Sequence, residues 1–124
     1  MDVEIKSGID IIVIDRIKRS KDKFKERFLN RVFSKKEQNS FKKIETIAGY
    51  WAAKEAFSKA LGVGIGNELS FLDIEIKKDS KNRPYFNISQ RIREKFGIID
   101  SSLSISHDGG FSIASVIIIC QRKK

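Results

Sequence analysis

The chain has 124 residues, 40% of them apolar and 33% charged, which suits one compact domain over residues 1–124 with its own core. Its longest apolar runs, Ile11 to Ile14 and Val116 to Cys120, are far too short to span a bilayer. Lone Cys120 excludes an internal disulfide, and with a single histidine it argues against a structural zinc site.

No basic-then-apolar secretory leader precedes the first element, so a soluble, cytoplasmic protein is expected. Val3 to Ile14 reads as a strand with Gly8 as a bend or bulge. A basic helical stretch follows from about Asp15 to Leu29. Net charge is +9, and +7 of it lies between Asp15 and Lys36. Such a field attracts a polyanion: nucleic acid, an anionic membrane surface or an acidic protein. Phe24 and Phe28, four apart, offer that helix an apolar stripe. Ser34 and Glu37 form a capping box opening a helix that should run to about Lys43. A second helix is expected over roughly Ile44 to Leu61, with a broad alanine-rich apolar face and Gly62 as its left-handed stop.

Ser70 to Lys78 alternates like a strand with one buried face. A polar turn over Asp79 to Arg83 leads through Pro84 into a strand at Tyr85 to Ile88, and a helix over Gln90 to Phe96 stops at Gly97. The chain closes with a hairpin, Leu103 to Ser106 and Phe111 to Cys120, turning over His107 to Gly110. Arg122 to Lys124 form a basic tail, expected to fray. The fold class expected is α+β, with antiparallel strands packed against helices.

Few side chains here can carry chemistry. Asp10 interrupts an otherwise core strand, Ile9 to Ile14, and a carboxylate there needs a compensating partner or an outward orientation. Glu55 and Lys59 have the i,i+4 order of an ordinary helix ion pair. The same spacing aims a carboxylate and an ammonium at one point. With Asp10 added, two hard oxygen ligands and a cation suit magnesium completed by substrate phosphates. Gly62, Gly64 and Gly66 are not a Walker loop, since the helix precedes them and no Lys-Ser or Lys-Thr follows. They either let backbone approach a phosphate or simply end the helix. His107 is a turn residue or an assisting group; no nucleophile-elbow serine accompanies it. Cys120 reads as a small core residue.

Gly8-Ile9-Asp10-Ile11-Ile12, Arg16-Ile17, Trp51-Ala52-Ala53-Lys54-Glu55-Ala56-Phe57-Ser58-Lys59-Ala60 and Gly62 to Gly66 occur in that order. Ser70 to Glu75, Arg83-Pro84 and Leu103 to His107 follow. Together these blocks resemble the holo-acyl-carrier-protein synthases, small trimeric bacterial phosphopantetheinyl transferases. The resemblance implies transfer of 4′-phosphopantetheine from coenzyme A to a serine of apo acyl carrier protein, with adenosine 3′,5′-bisphosphate as the other product. It implies Asp10 and Glu55 as ligands of Mg2+, and Asp10, Glu55, Lys59 and His107 as the catalytic set. It places coenzyme A against Lys59, Gly62, Gly64, Pro84 and His107, in sites between subunits of a homotrimer. It docks the acidic carrier on a basic helix beginning at Arg16, with Arg19 and Lys23 beside it, and implies no nucleic-acid or membrane partner. Three positions depart from the family pattern: Tyr50 replaces a frequent basic residue, Val13 a frequent glutamate, and Asn82 the glycine of a Gly-Lys-Pro turn. A non-catalytic basic module binding RNA or another polyanion is the alternative, resting on the +9 charge alone.

Overall fold

A computed structural model describes residues 2–122. The elements run β1 (Val3–Val13), α1 (Ile14–Phe24), α2 (Glu26–Val32), α3 (Lys35–Asn39), α4 (Ile44–Leu61), a 3-10 turn (Phe71–Asp73), β2 (Ile74–Lys78), β3 (Pro84–Ile88), α5 (Gln90–Phe96), β4 (Ile98–Asp108) and β5 (Phe111–Gln121). Strands β1, β5 and β4 form an antiparallel sheet in that order, and β2 pairs antiparallel with β3 in a second, smaller one. The class is α+β, as the sequence indicates.

Helix α4 is the axis of the molecule. Ala48, Ala52, Ala53, Ala56, Phe57 and Ala60 are buried on it, so it is enclosed on nearly every side. Small side chains let the three-stranded sheet approach one flank. On the other, Phe57 meets Phe86 of β3 edge-on, with centroids 5.0 Å apart, and Trp51 meets Phe71 of the 3-10 turn at 5.1 Å. The helix ends where expected: Gly62 takes a left-handed φ of 75° and its N–H closes on Lys59 and Ser58 carbonyls.

Strand β1 has no bulge at Gly8, which pairs in register with Val116. The glycine is there for α4 instead: a Cβ on it would lie 2.0 Å from the Ala56 carbonyl oxygen and 2.7 Å from the Ala60 nitrogen. Even-numbered β1 residues from Glu4 to Ile12 turn inward, whereas Ile5, Ile9 and Ile11 stay 71%, 62% and 59% exposed. Phe111, Ile113 and Ile117 of β5 join them, because each pairs directly with an outward residue of β1. The expected core strand is buried on one face only.

Other boundaries also move. The basic helix is two helices, broken at Lys25, whose φ of 49° no continuous helix allows. Ser34 and Glu37 do form the capping box, but its helix ends at Asn39 instead of Lys43. Residues 71–73 coil into the 3-10 turn under a second capping box, Ser70 with Asp73, so the strand starts at Ile74. Strand β4 begins at Ile98, five residues before its expected start, with a register shift between Ile98 and Asp100. The closing turn is only Gly109-Gly110, both with positive φ, as a two-residue hairpin turn requires. His107 consequently lies on the strand. Arg122 pairs with Asp2 and Glu4 and is held, not frayed; Lys123 and Lys124 lie outside the described residues.

Candidate active site

Close packing of β1 on α4 brings Asp10 to the helix. Lys59 Nζ donates to Asp10 Oδ1 at 2.9 Å and to the Ile9 carbonyl at 3.2 Å. The ammonium thus turns to the strand, not back one helical turn to Glu55. The ordinary i,i+4 pair is not what forms. Asp10 is 15% exposed and Lys59 55%, so the partner that Asp10 requires is a side chain at the edge of solvent.

Glu55 sits beside this pair. Burial raises its carboxyl above the usual range, the Asp10 charge raises it further, and Lys59 works the other way. Two carboxylates close enough to disfavour each other's charge form a donor set that a divalent cation would stabilise. No group of three or more histidine, cysteine or acidic side chains that could hold a metal exists among the described residues. The available set is Asp10, Glu55 and whatever oxygens a substrate adds.

Beyond Lys59 the glycine run opens outward. Only Gly62 is needed for backbone conformation; Cβ atoms on Gly62, Gly64 or Gly66 would meet nothing within 4 Å. Packing within the chain therefore does not explain Gly64 and Gly66.

His107 and Pro84 are elsewhere. Both line a cleft of about 1110 Å³ between the start of α1, the first turns of α4, the β2–β3 turn and the β4–β5 turn. Lys18, Lys43 and Lys78 contribute to it, and Tyr50 and Asn82 complete its wall. Burial pushes the Tyr50 hydroxyl pKa up, so this departure from the family pattern supplies a neutral group. Asn82 adopts a φ of 67°, the left-handed geometry that asparagine tolerates in a glycine's place. Sequence reasoning missed Lys18, Lys43 and Lys78. Lys43 precedes α4 and Lys78 ends β2, while Lys18 lies within α1, so their convergence is visible only in the fold. Asp10, Glu55 and Lys59 do not line this cleft, so one chain presents the expected set as two separate groups.

Arg16, Arg19 and Lys23 are exposed on α1. Arg19 reaches Asp15 at 3.3 Å, and the Lys23 ammonium lies 5.2 Å from the Phe24 ring centre. Next to them a groove of about 340 Å³ is lined by Phe24, Arg27, Phe28, Arg31, Val32 and Trp51. Phe28 stacks on Trp51 with centroids 5.7 Å apart. The groove combines an apolar floor with a cationic rim. Cys120 is buried, as a core residue should be.

Residues 6–114 match the 4′-phosphopantetheinyl transferase superfamily. The holo-[acyl-carrier-protein] synthase of Campylobacter fetus is 54% identical over 90% of this chain and 96% of its own. A crystal structure of the Helicobacter pylori holo-[acyl-carrier-protein] synthase in complex with coenzyme A superposes with a TM-score of 0.87 at 50% identity, covering 90% of this chain and 98% of that one. The Bacillus anthracis synthase, also solved with coenzyme A, gives a TM-score of 0.78 at 39% identity over 94% and 96% of the two chains. The chain belongs to the 4′-phosphopantetheinyl transferase superfamily and, within it, to the holo-[acyl-carrier-protein] synthases. It is therefore an enzyme, and the basic-module alternative falls away.

Proposed function

We propose that this enzyme moves the 4′-phosphopantetheine arm of coenzyme A onto a serine of an apo acyl carrier protein, in a magnesium-dependent step of fatty acid biosynthesis in the cytoplasm. The serine oxygen bonds to the phosphorus that carries the pantetheine arm and loses its proton. The pyrophosphate bond breaks, and adenosine 3′,5′-bisphosphate leaves. The observation that carries this reading is the meeting of Asp10, Glu55 and Lys59 where β1 crosses α4, beside glycines that leave open space.

Asp10 and Glu55 fit a magnesium ion, as hard carboxylates whose mutual repulsion a cation would relieve. When bound, that ion would neutralise pyrophosphate oxygens and favour departure of the leaving phosphate. Lys59 supplies a fixed positive charge at the position where charge builds on the leaving group. Gly62 and Gly64 let backbone N–H groups come close to phosphate without a side chain intervening. His107, beside Pro84 in the cation-lined cleft, assists proton removal from the serine or steadies the nucleotide.

Separation of His107 and Pro84 from the carboxylates within one chain supports an active site completed by a neighbouring subunit. The bare isoleucine face of the β1–β5–β4 sheet supports a homotrimer, since contiguous exposed apolar surface of this kind marks an interaction face. For the carrier, we assign the basic segment at Arg16, Arg19 and Lys23 with the adjoining groove. An acidic protein meets positive charge there first and an apolar floor second.

Incubation of apo acyl carrier protein with coenzyme A, magnesium and this enzyme, followed by intact-mass spectrometry, tests the reading. The expected result is a mass gain of one phosphopantetheinyl group, lost when magnesium is chelated. An unmodified carrier at saturating substrates overturns it.

A further inference from the structure

Lys54 belongs to the most specific block of the sequence, yet the proposed chemistry does not use it. Its side chain is fully buried, as is that of Glu37, and the two pair at 2.9 Å. Removing two charges from water costs several kcal/mol per ion unless each finds partners. Both do. Lys54 Nζ donates to the Val32 carbonyl at 2.8 Å, Glu37 Oε1 at 2.9 Å and the Phe71 carbonyl at 3.0 Å, which satisfies all three of its hydrogens. Glu37 Oε1 also accepts from the Ser34 N–H, and Oε2 from the Ile76 N–H.

These contacts tie four pieces of chain to α4: the end of α2, the start of α3, the 3-10 turn and β2. The end of α2 leads straight to the groove. Val32, whose carbonyl Lys54 holds, lines it. The Lys54 ammonium lies 5.3 Å from the ring centre of Phe33, and Phe33 packs edge-on against Phe28, which lines the groove and stacks on Trp51. The basic segment is thus fixed at one end by its continuity with β1 and at the other by Lys54, and between them it breaks at Lys25. Replacing a buried ion pair by apolar residues of similar volume often leaves a protein as stable or more so, so stability alone does not account for the pair here.

We propose that the buried Lys54–Glu37 pair is a positioning device: it holds the floor of the Phe28–Val32–Trp51 groove at a set angle to α4, and so sets how the docked carrier protein presents its serine to the neighbouring Glu55 end of the site. This rests on the assignment of the groove and Arg16 to the carrier.

The test uses the Lys54→Met/Glu37→Gln double variant, which leaves no buried charge and keeps an acceptor for Ser34 or Ile76. Glu37→Asp, which retains the charge but draws the carboxylate back, is the second variant should the first fail to melt cooperatively. Coenzyme A affinity is read by calorimetry, and carrier kinetics at saturating coenzyme A, with Arg16→Glu as the reference for docking. The expected result is coenzyme A binding within about twofold of the parent and a carrier KM raised roughly tenfold, short of the roughly hundredfold that misplacement by a full ångström can cost. A folded variant with the parent's carrier KM, while Arg16→Glu raises it, overturns the positioning role and leaves the pair purely structural. Coenzyme A affinity that falls as far as the carrier KM rises overturns it as well. If Arg16→Glu leaves the carrier KM unchanged, the docking assignment itself fails and takes this inference with it.

Discussion

Glu55 resists ionisation in the free enzyme. Its carboxyl is raised by burial first and by the Asp10 charge second, with Lys59 only partly offsetting them. A carboxyl raised in the folded state contributes stability below its unfolded pKa, and that contribution is lost as pH rises through the folded value. Above that folded value and without a divalent ion, the folded protein therefore bears an unfavourable charge. Glu55→Gln, which resembles the protonated form, is expected to melt at a higher temperature than the parent under those conditions. The advantage should shrink as pH falls toward the ordinary glutamate range. Magnesium should then stabilise the parent and leave Glu55→Gln unmoved, because only the parent keeps both carboxylates. Thermal melts at two pH values with and without magnesium check this, and equal magnesium shifts in the two proteins would sink the shared site. At this scale the sequence was partly legible. A carboxylate among isoleucines announces a need for a partner, so Asp10 stood out. Its partner did not, since helical spacing pairs Lys59 with Glu55 and only the crossing of β1 over α4 turns the ammonium to Asp10.

Helix α4 is the element most faithfully written in the sequence, because a long alanine-rich stripe and a terminal glycine are local signals. Gly8 shows what local signals miss. In a strand pattern a glycine suggests a bulge, but here it permits a helix backbone to touch a strand backbone. Gly8→Ala places a carbon 2.0 Å from the Ala56 carbonyl oxygen, backbone against backbone, so neither side can yield by a rotamer change. A loss of about 1–3 kcal/mol, the usual range for overpacking, is expected in urea unfolding. Because the displaced elements carry Asp10 and Glu55, kcat should fall further than the population of folded protein explains. A folded Gly8→Ala enzyme with parental kcat would show that the carboxylates tolerate the separation. The other displaced boundaries share a cause. The pattern of α1 and α2 is continuous, and nothing in Lys25 itself signals a positive φ. Asp100, Ser101 and Ser102 look like loop residues, yet β5 supplies them a hydrogen-bonded partner in Ile117 to Ile119.

For the whole molecule, charge pointed to an anionic partner and to residues 15–36 as the segment that attracts it, and alternation gave the strands but not their second covering. Isoleucines on both faces of β1 read as a buried strand. In one chain only the α4 side is covered, and the other side stays exposed. If subunits close a trimer over that face, each active site draws the carboxylates from one chain and His107 from the next, and inactive chains can repair one another. Glu55→Ala should be nearly inactive, whereas His107→Ala should turn over slowly. Unfolding the two together and refolding them at equal amounts gives random trimers in which about a quarter of the interfaces pair an intact Glu55 with an intact His107. Activity of the mixture should then rise well above half that of His107→Ala alone. Simple mixing without exchange of subunits should give only that half, which controls for trace contamination. If refolded and unexchanged mixtures have equal activity, Glu55 and His107 act within one chain. The cleft and the carboxylate pair would then have to approach each other by a movement of the fold.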